Sequence, residues 1–243
     1  GFRHFYASDF AVMRGQGFYA SVRMYSNRLI DFEGNWGQNL SGWFLCYGMT
    51  YISRTGNELY ADAATLREHF DWDRLPGTTV RLGVRPAGAY NAGTEPLAGG
   101  AGLDGGGVCA FRLVPAAGDF TARKSYFFFP EGLVALGSGI VSTADRPEPV
   151  ITTVPQWAAP RADEPLVLSG NRTVNALDGE GRWEDVAWAW HDGVGYVFLE
   201  PVVLHGRRSG ALTTLWLDHG PAPRDAGYAY VILPRATLEQ TRE

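Results

Sequence analysis

The sequence predicts an all-β fold, a sandwich of long antiparallel sheets with few short helices. Three observations carry that expectation. Short segments in which apolar and polar residues alternate recur along the whole chain, rich in aromatic and β-branched side chains. The 31 glycines and 14 prolines are spread through the sequence rather than clustered, as many strands joined by tight turns require. Aromatic residues make up 13% of the chain and include eight tryptophans; their flat rings favour strands and also stack on sugar rings.

Taken in order, Phe18 to Tyr25 is the first clear strand. Ala61 to Phe70 has the pattern of a short helix, stopped before Leu75-Pro76-Gly77. Gly88 to Gly107 is rich in glycine and alanine with little to bury, and reads as a long exposed loop. Lys124 to Phe129 and Leu133 to Leu136 are strands joined at Pro130-Glu131-Gly132 as a hairpin. A second hairpin turns at His191-Asp192-Gly193, which places His191 in solvent, and continues into Gly195 to Leu199. Leu212 to Leu217 and Tyr228 to Leu233 follow as strands. Thr237 to Gln240 can begin a second helix. With no internal repeat and no linker-like stretch, residues 1–243 read as one domain.

Composition narrows the function classes. A hydrophobic share of 45% against 19% charged residues is that of a folded globular protein. The net charge of −5 carries no footprint for nucleic acid. It also makes the domain a poor sole binder of a polyanion, so positive charge for such a ligand is expected from elsewhere. The two cysteines, Cys46 and Cys109, lie too far apart for a metal motif or a disulfide framework and read as small buried residues. No apolar run approaches a membrane span, and no glycine spacing matches a phosphate cradle, so no membrane partner, cofactor or metal is expected. The chain opens without methionine, directly in a strand-like pattern, as a piece of a longer polypeptide does.

Several blocks, in order along the chain, resemble polysaccharide lyase family 8, the hyaluronate, chondroitin AC and xanthan lyases. Asn39-Leu40-Ser41-Gly42-Trp43 with Gly48-Met49-Thr50-Tyr51 is similar to that family's ENLKGW…GMTYLY signature. Asp71 to Thr79 resembles its DWxRLPGTT segment, Thr121 to Phe127 its TAKKSWF, and Leu133 to Ile140 its xIVALGxGI. Trp216 to Gly220, with Tyr228-Ala229-Tyr230, resembles its closing W.DHG…YAY. The resemblance implies a large antiparallel β-supersandwich, galactose-mutarotase-like, as the central domain of a secreted, monomeric enzyme. It also implies an N-terminal α/α toroid as intramolecular partner and a smaller C-terminal sandwich, neither matched by this chain. It implies an acidic polysaccharide substrate cleaved by β-elimination, with the catalytic tyrosine, histidine, asparagine and arginines on the toroid. This chain alone is then expected to be inactive.

Within that resemblance the sandwich lends polar groups from a Glu-x-x-Asn-x-Glu-Asn loop, which here reads Glu33-Gly34-Asn35-Trp36-Gly37-Gln38-Asn39. Glu33 and Asn39 match; Trp36 and Gln38 depart from the pattern, and Asn35 can replace the displaced amide if the loop slips by one residue. Glu33 is the candidate catalytic support, a carboxylate that clamps a toroid arginine. Asn35, Trp36 and Asn39 are the candidate substrate-binding residues, the asparagines as donors and the tryptophan as a sugar platform. Glu33 and the asparagines have an alternative use, satisfying backbone groups in a glycine-rich turn, and Trp36 can equally anchor a domain interface.

Elsewhere, Asp218 and His219 are adjacent on a strand and point to opposite faces, so His219 reads as a buried, hydrogen-bonded residue rather than half of a catalytic pair. Arg207-Arg208 reads as a solvated turn, with polyanion contact as the alternative. Pro155-Gln156-Trp157 stands where the family has Glu-Asn-Arg on a loop. Two other functions remain open at this level: a non-catalytic carbohydrate-binding sandwich, and a purely structural scaffold.

Overall fold

The computed structural model describes residues 1–34, 41–56, 70–159, 163–175, 177 and 179–243. Among these residues run sixteen strands and one short helix, the all-β class that the alternation predicts. Strands β1 (Phe2–Phe5), β2 (Phe10–Arg14), β3 (Tyr19–Arg23) and β4 (Met49–Ser53) form a four-stranded antiparallel sheet in that order. A second sheet of twelve strands has a main path and a branch. The path runs β12 (Arg172–Val174), β11 (Leu166–Leu168), β13 (Glu180–His191), β14 (Val194–Ser209), β16 (Ala226–Leu233), β9 (Gly132–Ser142), β8 (Phe120–Phe129), β7 (Gly106–Leu113) and β6 (Ala98–Leu103). The branch, β15 (Leu212–Asp218), β10 (Val150–Ala158) and β5 (Thr79–Arg81), leaves the path at β14.

Strand β14 makes the branch possible. Its 16 residues pair with β13 along most of their length. On the other edge, Gly195 to Phe198 pair with β16, whereas His205 to Ser209 pair with β15. Two register shifts in the β13–β14 ladder lie between these halves, around Asp185, whose φ is 55°. A bulge of this kind bends a strand, so that one edge of β14 can feed both the path and the branch.

The period of two decides which side chains fill the core. On β8, Phe120, Ala122, Lys124, Tyr126 and Phe128 point inward, while Arg123, Phe127 and Phe129 point out. Tyr228, Tyr230 and Ile232 of β16 and Tyr196 and Phe198 of β14 continue the inner face. They belong to one buried cluster with Ala20, Val22, Phe44, Tyr47 and Ile52 from the four-stranded sheet and its connections.

A lysine sits in that inner face. Lys124 is fully buried and has no carboxylate partner among the described residues; its Nζ donates to Tyr47 O at 2.9 Å and to Gly77 O at 2.5 Å. Burial holds its amine well below the usual lysine range. The two carbonyls belong to the segment entering β4 and to the Leu75-Pro76-Gly77 turn entering β5, so one side chain ties three groups of strands together. Gly48, at φ 90°, leaves the room: a Cβ there would stand 2.4 Å from the Tyr126 hydroxyl and 2.7 Å from Lys124 Nζ.

Local expectations fare unevenly. Pro130-Glu131 closes the β8–β9 hairpin, with Phe129 paired to Gly132. Asp192-Gly193 closes the β13–β14 hairpin with φ values of 46° and 71°, both positive as a two-residue primed turn needs. Helix α1 (Leu238–Arg242) begins at Thr237, whose side chain accepts from Gln240 N while the Gln240 side chain caps Thr237 N. The helix expected at Ala61 to Phe70 falls on residues 57–69, outside the described residues.

Three expectations are corrected. Gly88 to Gly107 is loop only in its first part; Ala98 onward forms β6, paired to β7 in register. The glycines there admit close neighbours, since a Cβ on Gly107 would meet the Phe2 ring at 2.1 Å. His191 is buried at 3% exposure, because it closes β13 in the inward phase with Ala189. Its Nδ1 lies 3.0 Å from Pro165 O and its Nε2 3.1 Å from Thr213 Oγ1. Arg207 and Arg208 lie within β14 rather than in a turn.

Replacing Gly48 with alanine is expected to cost about 2–4 kcal/mol, the sum of a strained φ and overpacking against Tyr126 and Lys124. Urea denaturation of Gly48→Ala checks this; a loss under about 0.5 kcal/mol, the usual size of a surface substitution, would show that the junction is loosely packed.

Candidate functional site

Glu33 is presented by a clamp that the chain builds between two distant loops. After β3, Ile30 bridges Ala92, and Asp31, fully buried, binds Asn91 through both backbone and side chain. Asp31 N donates to Asn91 O at 2.8 Å. Asp31 Oδ1 accepts from Asn91 N at 2.9 Å and Phe32 N at 2.7 Å, and Oδ2 accepts from Asn91 Nδ2 at 2.8 Å. The Tyr25 hydroxyl adds a bond to Asn91 O at 2.8 Å, and burial pushes that phenol above its usual range. Asp31 and Phe32 are both buried, and Glu33 follows them as an exposed residue.

The same clamp places an aromatic beside Glu33 that the sequence reading did not single out. Tyr90 N donates to Phe32 O at 3.1 Å, and Tyr90 is 48% exposed with φ at 67°. A bulky residue in the left-handed region is uncommon, and such strain collects where a side chain must be aimed. Sequence alone offers one weak signal, a tyrosine directly before asparagine in a glycine-rich stretch.

On the segment leading to Tyr90, Arg85 donates twice to Asp73, from Nε at 2.9 Å and Nη2 at 2.7 Å. Its guanidinium lies 4.3 Å from the Trp43 ring centroid. Hydrogen bonding to Asp73 raises its pKa further. Asn35, Trp36 and Asn39 lie outside the described residues. The rim that the structure assembles thus consists of Glu33 and Tyr90 on the Asp31–Asn91 clamp.

The remaining sequence candidates take structural positions. His219 Nε2 lies 2.8 Å from Thr152 Oγ1, which is 2.9 Å from Thr79 Oγ1, and its ring stacks on Tyr228. Asp218 turns away and accepts from Gly220 N at 2.7 Å. Burial lowers the His219 pKa to about 4. Arg207 binds Asp71 at 2.8 Å, and Arg208 donates to the carbonyls of Val174, Asn175 and Glu164. Gln156 lies in β10, not on a loop, and is buried; it accepts from Asp71 N and donates to the Asp71 and Arg74 carbonyls, fixing the 71–74 segment. Cys46 and Cys109 are free and buried, and burial pushes both thiols up. Among the described residues no three His, Cys, Asp or Glu side chains converge as a metal site.

A long antiparallel sheet that branches at one strand and packs on a second sheet defines a β-supersandwich. The family description "Polysaccharide lyase family 8, super-sandwich domain" matches residues 1–211, and the chain belongs to that family. It is 30% identical to chondroitinase-AC of Pedobacter heparinus over 95% of this chain and 35% of that protein. It is 31% identical to xanthan lyase of Bacillus sp. strain GL1 over 98% of this chain and 28% of that protein. The chain therefore spans about a third of the length of these relatives. Among solved structures, Paenibacillus xanthan lyase superposes with a TM-score of 0.87 at 28% identity, over 99% of this chain and 26% of that one. A chondroitinase AC lyase from a study of enzyme–oligosaccharide complexes gives 0.86 at 26% identity, over 100% of this chain and 38% of that one.

His219 sets an acid limit on the fold. Above pH 6.5 folded and unfolded chains both hold a neutral imidazole; as pH falls toward about 4 the unfolded chain takes the proton first. Stability is therefore complete above the unfolded pKa and lost on acidification across that window, by up to about 3 kcal/mol. Urea denaturation at pH 7.0, 5.5 and 4.5 should show a shallower pH slope for His219→Gln than for the unaltered chain. Parallel slopes would remove His219 from this role.

Proposed function

We propose that this chain is the central domain of a secreted, monomeric polysaccharide lyase that cleaves a uronate-containing polymer of the hyaluronan, chondroitin or xanthan type by β-elimination. In this reading it lends cleft residues to a catalytic α/α toroid carried by the same polypeptide. Elimination requires the uronate carboxylate to be neutralised, the C5 proton to be removed by a base, and the leaving oxygen to be protonated by an acid. The base and acid come from outside this chain. What this chain supplies is positioning, with Glu33 holding an arginine of the toroid by charge-assisted bonds so that it meets the uronate carboxylate. Asn35 and Asn39 donate to substrate, and Trp36 and Tyr90 offer ring faces to sugars.

The Asp31–Asn91 clamp is the observation that carries the reading. A buried carboxylate with three donors is a rigid base beneath an exposed Glu33 and an exposed, left-handed Tyr90. Family membership and the relatives' names supply the chemistry, and the polymer's size is the reason to place the enzyme outside the cell.

The test uses the intact polypeptide, following the ultraviolet absorbance of unsaturated uronate on hyaluronan, chondroitin and xanthan. Glu33→Gln is expected to lower kcat about 10- to 100-fold with KM changed less than about threefold, the pattern of a lost transition-state contact. Rates within about twofold of normal, with folding intact, would reduce the domain to a scaffold. Tyr90→Ala is expected to lower kcat/KM about five- to tenfold, the scale of one lost stacking contact; an unchanged value would remove Tyr90 from the substrate path. The 243-residue chain by itself should give no signal.

A further inference from the structure

A second hollow shares no residue with the Glu33 rim. It is open, about 460 Å³ in volume, and lies where the end of β4, the β13–β14 turn and the start of α1 meet, with Arg54, Trp190, Gly193, Arg235, Thr237 and Glu239 among its walls.

The walls are built with different degrees of freedom. Arg54 Nη2 donates to Asp192 Oδ2 at 2.8 Å, and its guanidinium lies 5.2 Å from the Trp157 ring centroid. The same oxygen accepts Trp157 Nε1 at 2.9 Å. Gly193 lets Arg54 lie flat across the turn, since a Cβ there would stand 2.6 Å from Arg54 Nη1. Trp190 is fixed by donation from Nε1 to Ala236 O at 2.9 Å. Arg235 differs: it is exposed, it rests on Gly17, where a Cβ would meet its Nη1 at 2.1 Å, and it makes no ion pair among the described residues. Nearby, Arg242 lies 5.6 Å over Trp188 and offsets Glu239. Among the charged walls Arg54 is paired with Asp192, so Arg235 is the wall cation that makes no ion pair among the described residues.

We propose that this hollow is a second, non-catalytic site for an anionic saccharide unit. Arg235 supplies the charge, Trp190 the apolar wall and Arg54 a fixed second cation. A guanidinium fork matches a carboxylate or sulfate, and an oriented indole suits the sugar ring to which that group is attached. The role is to retain a polymer that the cleft is cutting elsewhere, and bivalent attachment of this kind raises affinity without tightening either site. The proposal rests on the reading that the parent enzyme acts on an acidic polysaccharide.

The test is a nuclear magnetic resonance titration of the 243-residue chain with a hyaluronan hexasaccharide, a chondroitin sulfate hexasaccharide and the carboxyl-reduced, neutral hyaluronan hexasaccharide. The expected result is movement of the Trp190 indole N–H signal with at least one acidic oligosaccharide, weakened fivefold or more in Arg235→Ala and retained in Tyr90→Ala. Arg235 is exposed, so its replacement leaves the fold intact. An unmoved Trp190 signal, an unchanged affinity in Arg235→Ala, or equal binding of the neutral hexasaccharide overturns the proposal. If Tyr90 and Phe32 signals move while Trp190 stays still, the second site fails and the lyase reading stands. If the intact polypeptide releases no unsaturated uronate, the lyase reading fails whatever Trp190 does.

Discussion

The buried amine of Lys124 is the constraint on which the arrangement of sheets depends. It stands at an inward position of β8, between Ala122 and Tyr126, and reaches two backbone carbonyls that no ladder uses. One precedes β4 and the other ends the turn before β5, so the three strand groups meet at a single nitrogen. A buried polar group is tolerated only when hydrogen-bonded, and the carbonyls have the same need. The junction is thus satisfied from both sides, and Gly48 keeps it narrow.

Arg81 follows the same rule at the other end of β5. It is 1% exposed and donates to the carbonyls of Gly118, Glu148 and Pro221 and to the Ser142 hydroxyl. Where curved sheets meet, strands leave their ladders and strand carbonyls inside the protein. Long cationic side chains reach several such carbonyls at once, which short hydroxyl side chains cannot do. The fold uses cations here as cross-braces, and the carboxylate that completes a salt bridge in other proteins is replaced by peptide oxygen.

The rim at Glu33 shows the complementary arrangement, an anion as brace. Asp31 gathers donors from Phe32 and Asn91 and so joins loops 60 residues apart in sequence. With the backbone fixed beneath them, Glu33 and Tyr90 project from it. The hollow at Arg54 repeats the pattern through Asp192, which is held by the Asp192–Gly193 turn and accepts from Arg54 and Trp157. In both places a carboxylate already satisfied by the protein sets the local geometry; at the rim the groups it aims remain exposed, whereas Trp157 is buried and Arg54 half-buried.

Alternation and turn chemistry along the chain were enough for the all-β class, both hairpins and the capped C-terminal helix, because each depends on neighbours within a few residues. The family was legible from motif order, and Glu33 entered as a candidate through its match to the family's loop. The same local rules misplaced His191, which the His-Asp-Gly turn put in solvent and the inward phase of β13 put in the core. They also passed over Tyr90, whose place on the rim arises from Asn91 binding Asp31, and gave no reason for a lysine within a buried face. Sequence by itself determined the all-β class and the turns at Pro130-Glu131 and Asp192-Gly193, since backbone preference and side-chain period act locally, but it read β6 as loop and the Arg207-Arg208 end of β14 as a turn. Only the tertiary structure decided which face of each strand is buried, which carbonyls are left for Lys124 and Arg81, and which distant loops share a rim, because those outcomes depend on contacts between residues far apart in the chain.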